Sequence, residues 1–135
     1  MKLENQVVSL ELAKKLKELG VPQRSLFVYV PEWAKDDTLV DFRIEHNDGG
    51  WDKTCIAAHT VAELGEMLPE YKHGYKVVRT YWGDQRGVGA EVSLPDKYYQ
   101  DDENSRHATT HYADTEADAR AKMLIYLIEN NLIKV

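Results

Sequence analysis

The chain has 135 residues, which is the length of one domain, because a single hydrophobic core usually spans about 100–200 residues. Hydrophobic residues make up 43% and charged residues 30%, which is typical of a globular protein and excludes a disordered tail. The single cysteine excludes an internal disulfide. The net charge of −6 argues against nucleic acid as a partner, since nucleic-acid-binding proteins usually neutralise phosphates with a basic face. We expect a single domain over residues 1–135.

The sequence predicts neither a signal peptide nor a membrane span. The first twenty residues lack the continuous apolar stretch of a signal peptide. An apolar run of about 18 residues, as a membrane span requires, does not occur either. We therefore expect a cytoplasmic protein without membrane contact.

The first predicted element is a helix over residues 10–19. Ser9 is a candidate N-cap, and leucine and alanine recur behind it at helical spacing. Gly20 suits the left-handed residue after the helix, and Pro22 forbids its continuation.

Three short strands are predicted next. Leu26–Val30 is an apolar run that Pro31 should end. Alternating residues predict a strand with one buried face, formed by Val40, Phe42 and Ile44. After a turn at 47–50, Thr54–Ala58 should return as the second strand of a hairpin with it.

The middle of the chain predicts a helix and a strand pair. Thr60 and Glu63 form a capping box for a helix that ends at Pro69. Tyr75–Trp82 and Val88–Leu94 should form a hairpin.

The last third begins with residues 95–105, which are polar and acidic and are predicted to form a mobile loop. A strand follows over 106–113, and then a helix over 115–130. The predicted buried stripe of this helix consists of Ala117, Ala121, Leu124, Leu127 and Ile128. Asn131 is a candidate left-handed residue at its end.

The predicted order is α-β-β-β-α-β-β-β-α. It indicates an α+β fold in which three helices pack on an antiparallel or mixed sheet of about five to six strands.

Three stretches carry a resemblance to a known group of proteins: SLELAKKLKELGV at residues 9–21, HTVAELGEMLP at 59–69 and ADTEADARAKMLIYLIENNLI at 113–133. They resemble small bacteriophage and prophage proteins of unknown function, and the α-β-α order is similar to the phage ABA-sandwich domains. The resemblance implies a phage origin, hence the cytoplasm of a bacterial host cell, and a fold type. It provides no catalytic residue that could be transferred.

Residues 75–130 also resemble the second half of a double-stranded-RNA-binding domain. That family begins its last helix with lysines that contact phosphates. Here Glu116 and Ala117 occupy the corresponding positions and only Arg120 is basic, so a carboxylate would repel the phosphate.

Candidate catalytic and metal-binding residues are few. His107 and His111 lie in a predicted strand, where a spacing of four separates them by about 13 Å. Cys55 and His59 have the same spacing, and no second pair completes a zinc site. Nucleophile elbows and phosphate-binding glycine loops are also missing. We therefore predict no catalytic residue, no metal and no cofactor.

Aromatic residues at strand ends and in loops are the candidate partner-binding site. They are Trp33, Trp51, Trp82, Tyr98 and Tyr99, the last two beside the acidic run Asp101, Asp102 and Glu103. Such residues supply contact area at a low entropic cost, and the negative charge could steer a basic partner. Each could instead cover an edge of the core.

The sequence thus predicts a non-enzymatic phage or prophage accessory protein that acts by binding a protein partner, as a homo-oligomer. One alternative is a counter-defence protein, either an acidic inhibitor of a host protein or a sponge for a small signalling ligand. Another is an enzyme whose site is assembled across strands.

Overall fold

The computed structural model describes residues 2–68, 78–83, 87–92, 109–131 and 133–134. Within these ranges the helices are α1 (Leu10–Glu18), α2 (Val61–Met67) and α3 (Glu116–Glu129), after a 3-10 turn at Leu3–Asn5. The strands are β1 (Phe27–Trp33), β2 (Leu39–His46), β3 (Ile56–Ala57), β4 (Val78–Gly83), β5 (Gly87–Val92) and β6 (Thr109–Ala113). The α+β class and the predicted element order are confirmed. The predicted loop at 95–105 lies outside the described residues.

The described strands form two antiparallel sheets of three strands each, with the orders β2-β1-β3 and β4-β5-β6. A single sheet of five or six strands is therefore not confirmed. Three strands follow α1 and three follow α2, and each sheet consists of one such set.

The pairing of β3 differs from the prediction. It was expected to form a hairpin with β2, but it pairs with β1, where Val28 lies opposite Ala57 and Tyr29 opposite Ile56. β1 also continues through Pro31, which was expected to end it, to Trp33. Proline lacks an N–H group and so removes pairing on one side of a strand only. Accordingly β3 pairs with β1 only before Pro31, whereas β2 pairs along the full length of β1.

A β-bulge explains why the predicted buried face of β2 is only partly correct. Glu32 pairs with Asp41 and Trp33 pairs with Leu39, so Val40 is an extra residue in β2. Phe42 and Ile44 pack against the core as expected. Val40 is 67% exposed, because the bulge breaks the alternation of faces.

The helix ends follow local rules, with one exception. Gly20 has a φ of +88° and Val21 N–H donates to the carbonyl of Leu16, which closes α1 as predicted. Thr60 and Glu63 form the predicted capping box. Ser9 lies at the N-cap of α1, but its hydroxyl makes no capping bond among the described residues. Instead its N–H donates to the carboxylate of Asp118 over 2.7 Å.

Glu63 also ties α2 to the start of the first sheet. Its carboxylate accepts hydrogen bonds from Thr60 N–H at 2.9 Å, Ser25 Oγ at 2.8 Å and Leu26 N–H at 3.1 Å. Because a charged acceptor strengthens each bond, the capping residue also fixes where β1 begins.

Helix α3 is buried around most of its circumference. Its buried residues are Ala117, Ala119, Ala121, Met123, Leu124, Ile125 and Leu127. The predicted stripe was narrower, because α3 lies against β4, β5 and β6 as well as against α1 and α2. A helix that is apolar on several faces is typical of such a central position.

The contact between α2 and α3 depends on one glycine and one arginine. Arg120 donates to the carbonyl of Val61 and to the carboxylate of Glu116, each over 2.9 Å. A Cβ atom at Gly65 would collide with this guanidinium group. Glycine therefore makes room for an arginine that binds the neighbouring helix.

Replacing Leu124 should test the central position of α3. Leu124 is fully buried, so Leu124→Ala should lower the free energy of unfolding by about 2–5 kcal/mol. Urea denaturation followed by circular dichroism measures this loss. The matched control is Glu129→Ala in the same helix, where an exposed side chain should change stability by less than about 0.5 kcal/mol. A loss below about 1 kcal/mol at Leu124 would contradict the packing.

Candidate functional site

The structure brings the predicted contact residues to different places. Trp33 and Trp51 have described side chains; Trp33 lies at the end of β1, whereas Trp51 lies in the loop between β2 and β3. Trp82 lies in β4. The remaining predicted residues, Tyr98, Tyr99, Asp101, Asp102 and Glu103, lie outside the described residues.

Trp33 lies at the far end of the β1–β2 hairpin with two further exposed apolar side chains. The exposed fractions are 56% for Trp33, 43% for Leu39 and 67% for Val40. Trp33 and Leu39 are partners across the hairpin, so their side chains are neighbours, and Val40 follows directly. We call residues 32–41 the hairpin tip.

Backbone and side-chain hydrogen bonds hold the turn of the hairpin tip. Ala34 N–H donates to the carbonyl of Thr38 at 2.8 Å, and Asp37 N–H donates to the carbonyl of Ala34 at 3.0 Å. Asp37 has a φ of +63°, which aspartate tolerates better than most residues. The Asp36 carboxylate accepts the N–H of Thr38, and bonding to Thr38 lowers the pKa of Asp36. The tip is thus an ordered turn that presents apolar side chains.

Charge around these side chains is mostly negative. The tip contains four carboxylates and one ammonium group: Glu32, Asp36, Asp37 and Asp41 with Lys35. All five are exposed. Apolar and acidic side chains are therefore exposed together at the hairpin tip.

Trp51 lies beside a recess of about 400 Å³ on the same sheet. The floor of the recess is apolar and is formed by Val28, Cys55 and Ala57. Trp51 packs against the cluster of Val28, Val30 and Cys55. We call this cavity the Trp51 recess.

Polar groups surround the floor of the Trp51 recess. Lys17 Nζ donates to the carbonyls of Lys53 and Cys55, the latter at 2.9 Å, which holds the ammonium group at the rim. Gln23 accepts the N–H of Ala57 at 2.9 Å. The Asp52 carboxylate accepts from Thr54 N–H and Oγ, and bonding to Thr54 lowers the pKa of Asp52. An indole, an apolar floor and an ammonium group suit a small planar anion.

Sequence reasoning missed Leu39 and Val40 as members of the candidate site. Val40 alternates with Phe42 and Ile44, and this pattern alone favours burial. The exposure of both missed residues could have been inferred from their position directly after the turn at residues 34–38, opposite Trp33, which is a predicted contact residue. The bulge that exposes Val40 leaves no comparable mark in the sequence.

Two of the described histidines, His59 and His111, pack inside the protein. His59 is 1% exposed, and its Nε2 lies 3.1 Å from the carbonyl of Pro22. His111 packs against the ring of Tyr126. Within the described ranges, no three His, Cys, Asp or Glu side chains lie close enough to hold a metal ion. Cys55 is buried, as predicted.

No family model, curated protein or solved structure matches the chain. Among the helices that the structure describes, none is long and apolar enough to cross a membrane.

Burial of His59 should make stability depend on pH. Burial lowers the pKa of His59 below its ordinary value of 6.5, despite opposing contributions from Pro22 and Glu63. Burial, followed by the charge of Lys122, also lowers the pKa of His111. The unfolded chain therefore takes up protons first, and stability should be highest above pH 6.5 and decrease as the pH falls below it.

Urea denaturation at pH 7.5 and 5.2 measures this dependence. Both values lie above the ordinary pKa of 4.5 of Glu63, whose pKa is lowered further, so its protonation should not interfere. His59→Gln should reduce the difference between the two free energies, and combining it with His111→Gln should reduce it further. Equal stability of the unmodified protein at both pH values would contradict the expectation.

Proposed function

We propose that this protein is a non-enzymatic phage or prophage accessory protein that binds a basic protein surface through the hairpin tip. The observation that carries the proposal is the joint exposure of Trp33, Leu39 and Val40 on an ordered turn. Exposing a tryptophan and two aliphatic side chains to water is unfavourable in free energy, and such clusters commonly mark interaction sites. Tryptophan is also enriched among the residues that dominate binding energy.

The carboxylates of the hairpin tip indicate the chemistry of the partner. An excess of negative charge attracts a positively charged surface and raises the rate of encounter. The apolar side chains would then enter a hydrophobic depression in that surface. The partner should therefore combine an apolar pocket with lysine or arginine at its rim.

The biological setting rests on the resemblance of three stretches to phage and prophage proteins. A phage product with an acidic contact surface fits the counter-defence alternative, in which it occupies a basic site on a host protein. The expected setting is the cytoplasm of a bacterial cell. The position of the gene among structural, replication or counter-defence genes would test this assignment.

Removing the tryptophan of the hairpin tip should weaken binding to a suitable probe. The probes are immobilised amphipathic peptides with leucine and phenylalanine on one face and either lysine and arginine or glutamate on the other. Binding should be confined to the basic series and should weaken as salt is raised. Trp33→Ala should raise the Kd by about thirtyfold, which corresponds to about 2 kcal/mol. Surface plasmon resonance measures both effects.

The matched control is Trp51→Ala, which removes the other tryptophan whose side chain the structure describes. It should leave peptide binding unchanged. Trp33→Ala should also keep the free energy of unfolding within about 0.5 kcal/mol, because the side chain is largely exposed. The proposal would be refuted if Trp33→Ala bound the basic peptides as tightly as Trp51→Ala does. It would also be refuted if the unmodified protein bound basic and acidic peptides equally well.

A second candidate function is the sequestration of a small ligand, and the Trp51 recess favours it. The recess combines the Trp51 indole with an apolar floor and with the Lys17 ammonium group at its rim. Stacking on the indole and charge pairing with Lys17 would together select a small aromatic carboxylate.

Titration with benzoate and indole-3-carboxylate tests this candidate by isothermal calorimetry. Saturable binding should be lost in Trp51→Ala and weakened at least about tenfold in Lys17→Met, since one charged contact is worth about 1.5–3 kcal/mol. Trp33→Ala is the control and should bind normally. Heat that does not saturate at millimolar ligand would exclude the candidate.

A further inference from the structure

Strand β2 has a partner along one side only within the described part of the chain. It is the outer strand of the β2-β1-β3 sheet and is eight residues long. An outer strand of this length exposes backbone groups that another strand can pair with.

The direction of the backbone groups in β2 follows from the bonds of β1. Asn47 N–H donates to the carbonyl of Leu26, whereas Ala58 N–H donates to the carbonyl of Phe27. Even-numbered residues of β1 therefore bond towards β2 and odd-numbered residues towards β3. In β2 the residues opposite even-numbered positions bond inwards, so Phe42, Ile44 and His46 direct their backbone groups outwards.

One of these outward groups is already covered by a side chain. The carboxylate of Asp41 accepts the N–H of Phe42 at 2.8 Å. Asp41 is exposed and its side chain can rotate into solvent, so a pairing strand can replace this bond. The N–H groups of Ile44 and His46 lie further along the same edge.

The side chains of β2 alternate between the two faces of the sheet. Asp41, Arg43 and Glu45 share the face away from the core, whereas Phe42 and Ile44 pack on the core side. Arg43 and Glu45 form an ion pair of 2.8 Å and are 45% and 42% exposed. Along this face of β2, the charges of Asp41, Arg43 and Glu45 are therefore negative, positive and negative.

We infer that β2 pairs in an antiparallel manner with β2 of a second copy of this chain, with the two-fold axis at Ile44. In this arrangement Arg43 of each copy lies opposite Glu45 of the other, which gives two favourable charge pairs. Phe42 lies opposite the second copy's His46 on the other face. The β2-β1-β3 sheets of the two copies thereby join into one sheet of six strands.

Neighbouring registers are less favourable for identifiable reasons. An axis at Arg43 would place the two Arg43 side chains opposite each other and Asp41 opposite Glu45, so every charged pair would repel. An axis at Phe42 would require Val40 to pair with Ile44, and the bulge at Val40 interrupts the strand there. Only the axis at Ile44 uses the regular part of β2 with opposite charges paired.

The dimer and partner binding by the hairpin tip share only Asp41, because the apolar side chains of Trp33, Leu39 and Val40 lie outside the paired segment 41–47. With a rise of about 3.4 Å per residue, the two tips would point in opposite directions about 50 Å apart. Failure of the peptide experiment and failure of the dimer experiment are therefore separate outcomes.

Charge reversal along β2 tests the inferred pairing. Sedimentation velocity over a concentration series should show a reversible dimer of the full chain. Arg43→Glu alone and Glu45→Arg alone should each weaken the dimer about tenfold or more, because two opposite-charge pairs become like-charge pairs. An equimolar mixture of the two variants should dimerise to within about threefold of the unmodified chain, since every pair in the mixed dimer is then opposite in charge.

Asp41→Arg is the matched control, since Asp41 lies opposite the polar Asn47 in this register. It should change the dimer Kd by less than about threefold, whereas a two-fold axis at Phe42 would make it as damaging as Arg43→Glu. Circular dichroism confirms that each variant is folded. A chain that is monomeric at millimolar concentration, a dimer insensitive to the two reversals, or a mixture without rescue would overturn the inference.

Discussion

The burial of helix α3 between the second sheet and the other two helices is the contact on which the remaining elements depend. Alanines at 117, 119 and 121 have almost no exposed surface, so neighbouring backbones approach this helix closely. α1 is tied to it through Ser9 and Asp118, and α2 through Arg120. The apolar cluster around α3 continues to Tyr29 and Ile56 of the first sheet. The last helix in the chain thus joins parts that are distant in sequence.

Features that depend on neighbouring residues were predictable, whereas features that depend on distant residues were not. The capping box of Thr60 and Glu63 and the left-handed Gly20 use bonds within a few residues, so the sequence displays them directly. The pairing of β3 with β1 depends on contacts between residues distant in sequence. The prediction that β3 pairs with β2, the strand nearer in sequence, was therefore wrong. Ala119 was absent from the predicted stripe because it lies on a different face of the helix, which contacts with distant elements bury.

The same distinction applies to the candidate sites. The sequence predicts Trp33 and Trp51 as contact residues because both lie beside strands, but the surroundings of the two side chains differ. Trp33 is exposed because the hairpin extends beyond the core, and Trp51 packs on the outer face of the sheet. Neither setting was predictable without the register of β1 and β2. Leu39 and Val40 were missed because a bulge changes which side chains face solvent.

The proline in β1 has a consequence for how far the inferred association through β2 can proceed. β3 covers only two residues of β1, and Pro31 offers no N–H group beyond them. Among the described strands, the first sheet therefore has one long edge at β2 and one short edge at β3, beyond which Pro31 offers no donor. Two copies joined by a two-fold axis use up the long edge of both. The inferred dimer would therefore close at two subunits and leave only the short β3 edge of each copy unpaired among the described strands.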